Sequence, residues 1–219
     1  DWVNEAIKYA EENDVLIVNA AGNEGIDLDE NRVYPNDEWP GQTSEIANNF
    51  INVGSITPSY SENLVSSFSN YGKDDVDVFA PGSAIYSTVP LDKYEFLQGT
   101  SMASPNVAGV AAMIRSLYPK LTAAQVKEAI INSGLSSSIQ VNVGGDPENK
   151  KAFNELSKSG KKWEVDGHRF DNLRQIESYV LAEHKRINPA NTFKPELNKQ
   201  GGDAIKLDTS KLMLMGSSF

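Results

Sequence analysis

Apolar positions along this chain follow two periodicities in turn, and the alternation outlines its layout. Trp2, Val3, Ala6, Ile7 and Ala10 recur at helical spacing, with Asn4, Glu5, Lys8, Glu11 and Glu12 between them, which predicts an amphipathic first helix. Val15-Leu16-Ile17-Val18 is an unbroken apolar run and predicts a buried parallel strand. Phe50–Ile56, Asp77–Gly82 and Ala84–Val89 read as further strands, the second stopped by Pro81-Gly82, and Tyr94–Leu97 as a short one. Val107, Val110, Ala111, Ile114 and Leu117 return to helical spacing and predict a helix from Ser101 to about Tyr118. Thr122-Ala123-Ala124-Gln125 opens another, which runs to about Ser133 with Gly134 as its stop. The alternation implies an α/β fold: three layers, with a mostly parallel sheet flanked by helices.

Beyond residue 135 the pattern loosens. Lys161–Val165 reads as a short strand. Leu173, Ile176, Val180 and Ile187 predict one more helix, from Phe170 to Ile187. Charge changes sign in the same region. Residues 1–150 carry 21 acidic and 8 basic side chains, a net of −13, whereas residues 151–219 carry 9 and 12, a net of +3. The change follows the turn-forming cluster Gly144-Gly145-Asp146-Pro147. The expected organisation is therefore a core over 1–135 and an α+β or irregular extension over 136–219. The overall charge of −10 argues against a nucleic-acid partner. No apolar run approaches the length of a membrane span. The absence of cysteine excludes disulfides and thiolate metal sites.

The chemistry concentrates at Gly99-Thr100-Ser101-Met102-Ala103-Ser104-Pro105-Asn106-Val107-Ala108-Gly109. This stretch sets a hydroxyl at the start of an apolar helix, beside unpaired backbone N–H groups and the positive end of the helix dipole. Such a place suits an oxygen nucleophile; it equally suits an ordinary helix cap. The segment resembles the active-serine motif of the subtilisin-like (subtilase) serine peptidases, with Asn106 where the family has His. Ala20-Ala21-Gly22-Asn23-Glu24-Gly25 follows the first strand and is similar to the family's oxyanion segment. Taken alone, Asn23 is also a good turn residue. The resemblance, which covers about residues 1–135, implies that Ser101 is the nucleophile and that Asn23 donates to the oxyanion. It assigns substrate binding to Ala20, Ala21, Gly22, Gly99 and Thr100. It places Glu24 at the rim of the pocket, where a carboxylate favours a basic substrate side chain; a solvated loop acid is the plainer reading.

The rest of that catalytic apparatus is not legible. A serine nucleophile of this kind needs a general base and a carboxylate that orients the base. In the family these precede the serine in the order Asp, His, Ser. The two histidines, His168 and His184, both follow Ser101 and read as surface residues. The first helix starts at residue 1 without a cap, which points to upstream sequence. The expectation is thus a serine endopeptidase acting on peptide or protein substrates, whose His and Asp lie in an upstream half of the same domain. The alternative is a non-catalytic binding module that keeps the fold. No cofactor is expected. Asp27, Asp29, Glu30, Asp37 and Glu38 crowd one loop and could serve calcium, but lack an EF-hand spacing and read as solvated acids. The resemblance implies a secreted or periplasmic location.

Overall fold

The computed structural model describes residues 2–38 and 44–159, and the backbone of 163–165 and 168–170. Helix α1 (Trp2–Glu12) is followed by strands β1 (Ile17–Ala20), β2 (Phe50–Ile56), β3 (Val78–Pro81), β4 (Ile85–Val89) and β5 (Lys93–Leu97). Helices α2 (Thr100–Leu117) and α3 (Ala123–Ser133) come next, then strands β6 (Gln140–Val143) and β7 (Asp146–Ala152). One compact unit spans residues 1–160, so the β6–β7 hairpin belongs to it, while the sequence draws a boundary at 135. Strands β8 (Trp163–Val165) and β9 (His168–Phe170) form an antiparallel hairpin in the other unit, residues 161–219. Phe170, the expected start of a helix over 170–187, ends β9 instead; the rest of that stretch, His184 included, lies outside the described residues.

β2 is the central strand of a parallel sheet ordered β1-β2-β3. Residues 50–55 are all buried, as a strand covered on both faces requires. Successive side chains point to opposite faces. Ile51 and Val53 meet Ala103, Val107 and Ala111 of α2, with Val126 and Ile130 of α3 behind them. Phe50 faces the other way and packs with Ile7 of α1 and Ala47. The three-layer α/β expectation holds, with a partial sheet. A second core joins Phe79, Leu64, Val65 and Val76 to Val141 and Val143 of β6 and to Phe153 and Leu156.

Several local expectations change. β1 starts two residues later than expected, and its residues are half-buried because it is the outer strand, paired on one side with β2. In α1 the buried pair is Asn4 and Ile7, while Trp2 is 88% exposed. The contact stripe is 4–7–11, where Glu11 Oε1 accepts the Asn48 N–H at 2.6 Å. In α2 the buried stripe is Ala103, Val107 and Ala111, leaving Val110 and Leu117 exposed. α3 begins with a capping box: Thr122 Oγ1 accepts from Gln125 N, and Gln125 Oε1 accepts from Thr122 N. Gly134 ends it in an extended conformation, not a left-handed one. Glycine is needed there because a Cβ would lie 2.7 Å from the Ser159 Cβ.

Gly54 shows how tightly β2 and β3 pack. A Cβ at this position would meet the Phe79 ring at 2.4 Å. Gly54→Ala is expected to destabilise the fold by about 1–3 kcal/mol, as overpacking does. A lower urea midpoint with an unchanged slope would show it; an unchanged midpoint would mean that Phe79 moves aside freely.

A buried charge cluster ties α3 to the start of β3 and to Asp37 and Glu45. Lys127 Nζ lies 2.9 Å from Glu45 and 3.7 Å from both Asp37 and Asp77. Lys158 reaches the same Glu45, and Asp77 at 3.5 Å. Burial pushes the Asp37 carboxyl up to about 6 despite Lys127. Glu45, although burial opposes it, is held below its ordinary range by Lys127 and Lys158.

Candidate active site

The β4–β5 hairpin delivers the chain to Gly99, whose N–H donates to the Gly82 carbonyl at 2.9 Å. Gly99 has φ 147°, a conformation that side chains disfavour, and occupies the N-cap of α2 with no side-chain cap. Thr100 is the first helical residue and Ser101 the second. The helix-cap reading of Ser101 is thereby replaced: glycine holds that position, and the serine is exposed. Met102 N–H returns to the Gly99 carbonyl at 2.9 Å, so the first turn is tight. Pro105 has no N–H to offer the Ser101 carbonyl.

Two segments far apart in sequence are bolted together at Thr100. Its N–H and its hydroxyl both donate to Asn23 Oδ1, at 2.9 and 3.0 Å. The Gly22 N–H donates to Thr100 Oγ1 at 3.2 Å. Ser104 Oγ adds a bond to the Val18 carbonyl at 3.0 Å, which ties the helix to β1. Because both Thr100 donors use Oδ1, the Asn23 amide is fixed with Nδ2 on its other side. A Cβ built on Gly99 would lie 3.5 Å from Asn23 Nδ2 and 3.7 Å from the Ser101 backbone nitrogen. The Asn23 amide, with Nδ2 at 3.5 Å and Oδ1 at 3.8 Å from that point, and the Ser101 backbone nitrogen thus border the space over Gly99, beside an exposed hydroxyl at the positive end of an 18-residue helix. That arrangement can stabilise a negatively charged oxygen.

Ala20, Ala21 and Gly22 line a cleft of about 190 Å³ that Val33, Tyr34 and Pro35 also line, with Asn19, Asn52 and Asp75 supplying polar groups. The segment is braced by Asn70, a residue that sequence reasoning did not single out. Asn70 Nδ2 donates to the Ala21 carbonyl at 2.9 Å and to Glu24 Oε2 at 2.7 Å, while its Oδ1 accepts the Glu24 and Ile26 N–H groups. Its signal lay within Ser66-Ser67-Phe68-Ser69-Asn70-Tyr71-Gly72, but nothing local marks it as a brace. Asn106 bridges the Pro81 and Met102 carbonyls at 2.8 and 3.2 Å.

The structure thus brings together Ser101, Asn23, Gly99, Thr100, Ala20, Ala21 and Gly22. The compact unit holding them has no histidine in its sequence, and only the backbone of His168 is described. The acidic loop is not simply solvated. Asp29 accepts the N–H groups of Lys73, Asp74 and Asp75, Asp27 pairs with Lys151 at 2.6 Å, and Glu38 pairs with Arg32 at 2.7 Å. Among the described residues, no three acidic or histidine side chains converge as a metal site would need. No described helix is long and apolar enough to cross a membrane.

A family model described as the subtilase family matches residues 1–161. Subtilisin DY of Bacillus licheniformis is 36% identical over 142 residues, which cover 65% of this chain and 45% of that protein. The major intracellular serine protease of Bacillus subtilis (strain 168) is 38% identical over 149 residues, covering 66% and 43%. Among solved structures, that of the prenylagaramide maturation protease PagA aligns with a TM-score of 0.55 at 27% identity, over 72% of this chain and 51% of that one. The chain spans less than half the length of the two curated relatives. One of them is intracellular by name, so a secreted or periplasmic location does not follow from the family alone.

Proposed function

Because this chain belongs to the subtilase family of serine peptidases, we propose that it carries the nucleophile and the oxyanion donors of a serine endopeptidase. Ser101 Oγ attacks the carbonyl carbon of the scissile peptide bond. Its proton passes to an imidazole, and the carbonyl oxygen becomes an oxyanion between Asn23 Nδ2 and the Ser101 N–H. Collapse of this intermediate breaks the C–N bond, and the imidazole hands the proton to the departing amine. Water then repeats the sequence on the acyl-serine. Ala20, Ala21, Gly22, Gly99 and Thr100 line the path of the substrate backbone. The chemistry runs on side chains and backbone, so no cofactor enters the reading. The observation that carries it is that the Asn23 amide nitrogen and the Ser101 backbone nitrogen lie 3.5 and 3.7 Å from one point over Gly99, beside an exposed serine in the first turn of α2.

The base and its orienting carboxylate come, in this reading, from an upstream half of the same domain. Residues 1–160 offer no imidazole, and among the described residues nothing pairs with the outer edge of β1. The same lack of an imidazole is what favours the second reading, a binding module without chemistry. A fluorophosphonate probe separates the two. The chain alone is expected to label negligibly at Ser101, and to label rapidly when a segment bearing the Asp and His is supplied. Strong labelling of the chain alone would show a base within it, and no labelling of the supplemented chain would leave the binding module.

A further inference from the structure

We infer that the cleft walled by Ala20, Ala21 and Gly22, which adjoins Thr100 through the Gly22 N–H, receives a lysine or arginine side chain of the substrate, and that Asp75 is the residue that meets its charge. The inference rests on the reading of Ser101 as nucleophile and of Ala20–Gly22 as the wall of a substrate cleft. It assigns the charge-reading role to a residue about fifty positions from that wall, away from the rim acid Glu24.

The lining separates into an apolar stem and an acceptor-rich end. Ala20, Ala21, Leu28 and Val33 suit the methylene stem of a long cationic side chain. At the polar end the amide hydrogens are largely spent within the protein. Asn19 Nδ2 donates to the Ala20 carbonyl at 3.1 Å and to Asn52 Oδ1 at 3.0 Å, and Asn52 Nδ2 donates to the Asp75 carbonyl at 2.8 Å. What that end retains is carbonyl and carboxylate oxygen, which asks for a donor.

Charge points the same way. Arg32 lines the cleft, but its guanidinium is engaged by Glu38 at 2.7 Å. Glu24 is exposed and takes a neutral partner, Asn70. Asp75 is surrounded by acids. Burial, then the charge of Glu38 and a hydrogen bond shared with its carboxyl, then Asp29 raise the Asp75 carboxyl to about 7, and Lys158 only partly offsets them. Among the described residues, acids outweigh the one cation acting on this carboxyl, so an incoming ammonium or guanidinium is favoured there. Asp75 is held in place because the Asp29 carboxylate accepts its N–H at 3.0 Å and Asn52 donates to its carbonyl.

The test measures binding, not turnover, on the 219-residue chain. The ¹⁵N-labelled protein is titrated with Nα-acetyl-lysine methylamide and with its norleucine counterpart, which keeps the stem and lacks the charge. At pH 8 the lysine compound is expected to shift the Gly22, Val33 and Asn36 amides with a Kd at least fivefold below that of the norleucine compound. The advantage should shrink at pH 5.5, where Asp75 is protonated, and vanish in Asp75→Asn. Glu24→Gln should retain most of it. Equal or tighter binding of norleucine at pH 8, no shift of these amides by either compound, or a preference that survives in Asp75→Asn would each overturn the inference. If Asp75→Asn does not fold, the pH dependence of the wild-type chain decides. No bond breaks in this assay, so its failure leaves the reactivity of Ser101 to be judged separately by the fluorophosphonate probe.

Discussion

Asn23→Ala is expected to slow acylation at Ser101 by about 10²–10³, a loss of roughly 3–4 kcal/mol in transition-state stabilisation. The magnitude is the one established for subtilisin itself, and it carries over because the geometry offers the same kind of donor. The neutral amide meets a carbonyl oxygen that gains a full charge only as the nucleophile adds. Its contribution therefore falls on kcat and leaves KM little changed. Asn23 has a second duty here, since its Oδ1 accepts both the N–H and the hydroxyl of Thr100. Alanine removes the donor and the anchor together. Asn23→Asp separates them: a carboxylate keeps the acceptor bonds to Thr100 but offers no donor and repels the oxyanion. Its rate should fall at least as far as that of Asn23→Ala, with little loss of stability. An Asp variant close to wild type in rate would mean that the anchoring of Thr100, rather than donation, is what Asn23 provides. The measurement is kcat and KM on a peptide substrate in the protein supplied with its base, beside thermal midpoints of the three forms.

Lys127→Met should cost about 3–5 kcal/mol of stability, the scale seen when one partner of a buried ion cluster is removed. Methionine fills the volume of the lysine stem, so packing is largely retained. What is lost is the ammonium shared by Glu45, Asp37 and Asp77. Asp77 is 2% exposed, and neither Asp37 Oδ2 nor Asp77 Oδ1 accepts a hydrogen bond among the described residues, so Lys158, 3.5 Å from Asp77 Oδ1, would be the one ammonium left to the cluster. The pH dependence gives a sharper check than the midpoint alone. The folded-state pKa of Asp37 lies above its unfolded value, at about 6. Its contribution to stability is therefore complete below the unfolded pKa of about 4 and is lost as pH rises through 6. Lys127 limits that loss in the wild type. In Lys127→Met the limit is gone, so the fall in stability between pH 4 and pH 7 should steepen, and the gap between the two proteins should be smaller at pH 4 than at pH 7. Parallel stability curves would mean that Asp37 does not sense Lys127.

Where a sequence signal is local and strong, structure followed it. Phe50–Ile56 has the same ends in both readings, since its apolar and β-branched residues mark a strand even though Asn52 and Ser55 are buried within it. The Thr122 and Gln125 pair marks the start of α3 because a capping box is completed within four residues. The Ser101 and Asn23 segments could each be read as a motif, and the fold places them against each other. The shortfalls all depend on partners distant in sequence. β1 is only half covered because of its outer place in the sheet. The stripe of α1 turns on a contact between Glu11 and Asn48, which the helix alone cannot reveal. Asn70 braces the 21–26 segment from another part of the chain, and the fate of the acidic loop depends on Lys127, Lys151 and Arg32.

The bond between Asn23 and Thr100 joins residues 77 positions apart, and the strand pairings around it span 33 residues for Ile17 with Phe50 and 25 for Val53 with Val78. Contact order of this kind makes folding slow, because long loops must close before any of these contacts is gained. It also means that the donor pair at Ser101 has no local precursor. A nascent or partly unfolded chain holds the serine and the asparagine as unrelated side chains, and their juxtaposition arises with the closure of the sheet rather than growing in by degrees. Under the proposed function, the oxyanion donors would thus be assembled only in a fully folded chain, and any loosening of the sheet would part them from the serine at once.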